Sequence, residues 1–116
     1  MEEVNIKMRE HLEDGEWIDT EDGEKIYPLV KRILDAGQVA VVSFAGGETV
    51  MTPFLNAAFG KLYATHSREF VRSHIRCVDV APLVLQKFQK VENIAIRYYE
   101  NNPDARDQLI RAEVGA

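Results

Sequence analysis

The stretch GQVAVVSFAGGETVMTPFLNAAFG, residues 37–60, decides the fold. Val39 to Phe44 is apolar without alternation, and Ser43 is its one interruption. A strand covered on both faces looks like this, as in the middle of a mainly parallel sheet. Gly46-Gly47 ends the run, and Thr52-Pro53 opens a helix. The threonine hydroxyl can accept from exposed amides of the first turn, and proline suits the first helical position, where no amide hydrogen is needed. Leu55, Ala58, Phe59 and Leu62 then form one apolar stripe at helical spacing.

Upstream, Ile26, Leu29, Val30, Ile33 and Leu34 mark an earlier helix that Gly37 stops. Pro28 leaves two readings of its start. A helix from Thr20 or Asp22 puts proline inside, at about 3 kcal/mol; otherwise the helix is kinked or begins at about Tyr27. Val4, Ile6 and Met8 alternate with polar residues as a half-buried first strand. The acidic segment after it is a loop, or a short extended piece around Trp17 and Ile18. Downstream, Ile75 to Val80 is another strand, and Pro82 opens a long helix to about Asn101. Its apolar face is Val84, Phe88, Val91, Ala95 and Tyr98. Strands alternating with helices give the α/β class: a mixed, mainly parallel sheet with helices packed against it. The expected organisation is a single domain at 1–102, then a polar tail at 103–116 with room for one short helix.

The 116 residues suit one domain with a real core. Nineteen acidic residues against 14 basic ones give a net charge of -5. That speaks against broad binding to nucleic acid or anionic lipid, both of which call for basic surface. Cys77 is the one cysteine, so neither an internal disulfide nor a multi-cysteine zinc site is expected. No apolar run approaches a membrane span. The opening MEEVNIKMRE lacks the basic start and apolar core of a signal peptide, so the expected compartment is the cytoplasm.

The junction after Phe44 matches no catalytic element. A P-loop needs lysine at the helix start, and none comes before Lys61. Gly46-Gly47 is not spaced as a dinucleotide fingerprint, and Thr52 lacks the flanking glycines of a hydrolase elbow. His11, His66 and His74 read as surface or loop residues, since metal ligands come in matched groups. Cys77 reads as buried packing. Arg68, Arg72 and Arg76 read as a solvated loop, or more sharply as an edge for an acidic partner or a phosphate. Tyr98-Tyr99 packs and caps the last helix. The expectation is no enzyme, no metal and no cofactor.

Four segments together resemble the STAS-like domain family, related to the anti-anti-sigma STAS domains: VAVVSFAGG, ETVMTPFLNAAFGKLY, IRCVDV and VENIAIRYYENN. Phe54, Asn56, Phe59, Gly60 and Leu62 hold the family's F-x-N/D-E-x-F-G-x-L pattern, with Ala57 at its acidic position. The resemblance implies a regulatory domain that docks a protein partner, a GHKL-type ATPase or anti-sigma-like kinase. The implied surface is the loop Ala45–Met51 with the start of the next helix: Gly46, Gly47, Glu48, Thr49, Thr52, Pro53 and Asn56. The family's phosphoserine position falls on Pro53, which cannot accept phosphate. Thr52 is the hydroxyl beside it, and a capping role argues against its phosphorylation. Two other functions stay open on this scaffold. One is an inhibitor or immunity-type interaction protein. The other is a binder of a small anionic ligand or nucleotide at the helix N-terminus.

Overall fold

The computed structural model describes residues 2–114. Its elements are strands β1 (Glu3–Lys7), β2 (Glu16–Trp17), β3 (Val39–Ser43), β4 (Thr49–Val50) and β5 (Ile75–Val78). The helices are α1 (Thr20–Asp35), α2 (Thr52–Leu55), α3 (Leu62–Thr65), α4 (Arg68–His74), α5 (Pro82–Asn101) and α6 (Pro103–Val114). A short 3-10 turn, Met8–His11, follows β1, and a π-helical turn, Asn56–Gly60, joins α2 to α3.

The main sheet has the order β1-β3-β5, and both described pairings in it are parallel. Register sets Val4 and Ile6 beside Ala40 and Val42, and these beside Ile75 and Cys77. That face meets the helices: Ile6, Ala40 and Val42 are buried with Ile26, Val30, Phe59 and Phe88. The opposite face is polar on the two strands that flank β3. It carries Glu3, Asn5, Lys7 and Arg76, all exposed. Val39 and Val41 are nonetheless buried there, so β3 itself is buried on both faces as expected. Arg76 on β5 reaches Glu3 on β1 with two hydrogen bonds, of 2.9 and 3.0 Å, across the strand between them. The sheet order explains why the crossover helices take one face. Strands added successively in one direction by right-handed crossovers put both crossovers on the same face.

Asp19 caps α1, accepting from the Asp22 amide at 3.0 Å. The helix then runs through Pro28, so the reading with proline inside holds and the start at Tyr27 does not. The carbonyl of Glu24 forgoes its usual amide there. At the other end Gly37, at φ +74, and Gln38 donate to Leu34 and Ile33, a Schellman stop.

The Arg68–Arg76 segment is not the loop expected from sequence. Ser67 caps a helix there by accepting from the Phe70 amide, and Val71 anchors it in the core. Strand β5 is shorter than the expected 75–80, because Asp79 turns to φ +53. On α5, Phe88, Val91 and Ala95 are buried and Val84 is half-buried, but Tyr98 is exposed. The face continues through Ile96 and Tyr99 instead, one position further round the helix. Residues 103–114 form a helix laid back on the body: Arg106 Nε donates to the Ala64 carbonyl at 2.8 Å, and the Tyr27 hydroxyl to Glu113 at 2.5 Å. The last two residues of the expected tail lie outside the described residues.

Candidate docking surface

The loop after β3 is held before it is offered. The Ser43 hydroxyl donates to Asp79 at 2.8 Å and accepts from the Ala45 amide at 3.3 Å. Gly47 N–H donates to the Phe44 carbonyl and closes a turn around Gly46, at φ +87. The amides of Glu48 and Thr49 both donate to Gly15 O, at 2.8 and 3.0 Å. A Cβ on Gly46 would meet Arg9 at 2.9 Å, and one on Gly47 would meet the Trp17 ring at 2.6 Å. Trp17 itself is fully buried between Phe44 and Phe54, with Nε1 donating to the Asp14 carbonyl. Gly47 therefore packs on the Trp17 ring, and Gly46 lies against Arg9 while staying exposed. Glu48 is exposed, and Thr49 is half-buried in β4.

The helix start corrects the reading of Thr52. Met51 occupies the capping position, since Leu55 N–H donates to its carbonyl, and no side chain caps α2. Thr52 is the first helical residue and Pro53 the second. Either position suits proline, because the first amides of a helix have no internal acceptor anyway. The Thr52 hydroxyl is left exposed beside the exposed Pro53 and Asn56.

The π turn follows from what lies on both sides of it. Ala57, Ala58, Phe59 and Gly60 are buried in succession, between α1 on one side and α5 on the other. Gly23 lets α1 come close: a Cβ there would lie 2.5 Å from the Phe54 carbonyl oxygen and 2.6 Å from the Ala57 Cβ. Phe59 packs edge-on to Phe88 at 5.0 Å. Asn56 faces outward at the head of this turn.

Several large apolar side chains are exposed, some of them beside these residues. Ile18, Met51, Leu83, Ile94 and Tyr98 are exposed, Leu83 at 72%. The Met51 amide donates to the Trp17 carbonyl, which sets Met51 beside Ile18. Lys87, one turn beyond Leu83, donates to the Val50 carbonyl at 3.1 Å and brings that end of α5 alongside. Ile94 and Tyr98 border the same cleft as Asn56.

The remaining sequence candidates are dispersed. Each of Arg68, Arg72 and Arg76 meets a carboxylate, Glu69, Glu92 and Glu3 respectively, so the basic cluster is three ion pairs. His66 pairs with Asp35 at 2.9 Å and stacks on Phe70, which stacks on His74. His11 is exposed in its turn. Among the described residues no group of three His, Cys, Asp or Glu side chains is placed to hold a metal. Cys77 is half-buried against the core; burial, then the Glu92 carboxylate, push its thiol up to about 12. No described helix is long and apolar enough to cross a membrane.

No curated protein and no solved structure matches the chain. A family model does match, over residues 22–92, from the first turn of α1 to the middle of α5. The chain belongs to that family, described as a STAS-like domain of unknown function.

Proposed function

With membership of the STAS-like family as the premise, we propose that this chain is a non-enzymatic regulatory domain that docks another protein. The docking surface is the exposed start of α2, with Thr52, Pro53 and Asn56, flanked by Met51 on one side and by Ile94 and Tyr98 on the other. One observation carries this reading: Met51 stands exposed beside Ile18 at the start of α2, and Ile94 and Tyr98 stand exposed beside Asn56. Apolar side chains scattered singly over a surface need no explanation, whereas a gathered set rimmed by polar residues suits a partner. The partner class follows from the family's relation to anti-anti-sigma domains: a GHKL-type ATPase or anti-sigma-like kinase. The exposed Thr52 hydroxyl stands where a phosphate would alter that surface by about two charges.

The test is affinity capture from the native host followed by a titration of the recovered ATPase. Asn56→Arg should weaken that complex by about tenfold or more, as for a central interface position. Its melting temperature should stay unchanged, because Asn56 is exposed. Unchanged affinity would move the interface elsewhere, and recovery of a nuclease or other toxin would favour an immunity-type role.

A further inference from the structure

We propose that the cleft between α1, the π turn and α5 binds a small zwitterion with an apolar body, the chemistry of a free apolar α-amino acid. The inference needs no protein partner, although Asn56, Ile94 and Tyr98 border both sites.

The cleft has a volume of about 340 Å³. That lies at the small end of ligand pockets, which run from about 300 to 1,000 Å³. Its lining is mostly apolar, with Ile94 and Tyr98 from α5 forming the outer wall. Thr20, Glu24, Asn56 and Lys61 line it on the side of α1 and the π turn. Thr20 and Glu24 lie one turn apart on α1, on one face of the helix. Lys61 ends the π turn, with its ammonium 5.5 Å from the centre of the Tyr27 ring, the next turn of the same face. Glu24 therefore sits between Thr20 and the lysine. Neither Glu24 nor Lys61 has an ion-pair partner within 4.0 Å among the described residues. Opposite charges that share a cleft without meeting leave room for a ligand carrying both.

The π turn gives the site its floor. A Cβ on Gly60 would lie 2.6 Å from Asn56 Oδ1, so the amide of Asn56 lies over the glycine and along the cleft. A carboxylate would take the Lys61 ammonium and the donor side of that amide. An ammonium would take Glu24, the Thr20 hydroxyl and the amide oxygen. The apolar body would rest on Ile94 and Tyr98. A nucleotide or phosphate would bring its charge to a site with one cation and one carboxylate, so the zwitterion is the better match.

The test is calorimetry on the full chain with L-leucine and L-phenylalanine, with N-acetyl-L-leucine and L-leucinamide as blocked forms. Amide shifts in NMR locate any site. Saturable binding of a free amino acid is expected, with shifts confined to residues 20–27, 56–61 and 94–98. Both blocked forms should bind at least about tenfold more weakly, as should Glu24→Gln and Lys61→Met, each of which removes one charged hydrogen bond. Circular dichroism checks that both variants fold. Three results would overturn the proposal: no heat at about 10 mM amino acid, equal binding of the blocked forms, or shifts centred elsewhere. None of them bears on docking, which is read in a separate titration with the protein partner.

Discussion

Thr52 is the residue on which sequence and structure part most clearly. Thr-Pro reads as a cap followed by a first helical residue, yet the backbone of α2 begins one position earlier, with Met51 at the cap. Sequence shows which residue types favour a helix start, but not the register of the first turn. The two true side-chain caps are Asp19 and Ser67, which accept from Asp22 and Phe70. Thr52→Ala should therefore change stability by less than about 0.5 kcal/mol, as at an ordinary surface position. Ser67→Ala should cost about 0.5–2 kcal/mol. Urea denaturation of the two variants compares them directly, and a larger loss at Thr52 would restore the cap. The glycines of the candidate surface were legible as turn residues. Their packing was not, because it depends on Arg9 and Trp17, more than 25 residues upstream.

At the scale of elements, the long apolar patterns were legible and the short or polar ones were not. Strand β3 and the buried phase of Leu55, Ala58, Phe59 and Leu62 follow from periodicity alone. Helix α4 escaped because its sequence, REFVRSH, offers only Phe70 and Val71 to a core. The one sign of it was Ser67 as a cap. The π turn escaped because its residues fit an ordinary helical stripe as well. What selects it is tertiary: α1 on one side, α5 on the other, and no Cβ at Gly23 or Gly60. These two glycines should respond differently to alanine. At Gly23 the new Cβ meets backbone and the Ala57 Cβ, which have little room to yield. At Gly60 it meets the end of the Asn56 side chain, which can swing away. Gly23→Ala should lose about 1–3 kcal/mol through overpacking, and Gly60→Ala clearly less. Urea midpoints order the two, and equal losses would contradict the packing described for α1.

For the whole molecule, one buried and two half-buried acids set an alkaline limit. Burial raises the pKa values of Tyr27, Tyr63 and Cys77, and the carboxylates of Glu113 and Glu92 add to it. Each hydroxyl donates to its carboxylate, Tyr27 to Glu113 and Tyr63 to Glu92, so the neutral form is the one the fold holds. Unfolded, these groups ionise near their ordinary values, 9.0 for the thiol and 10.0 for the phenols. The folded state keeps its protons longer. Their contribution is therefore complete below about pH 9 and is lost as pH rises through the folded values. The urea midpoint should be flat from about pH 7 to 8.5 and fall beyond it, with Tyr63→Phe making the fall shallower. A midpoint that holds steady to about pH 11 would show that these groups ionise freely in the folded chain.

The Arg76–Glu3 clamp joins positions 73 apart in sequence. Both crossovers, each closing a long loop, must be complete before its two ends meet. Loop closure of that kind comes late on a folding pathway. The clamp then contributes nothing to the speed of assembly. It acts on the lifetime of the finished sheet, as a latch on departure.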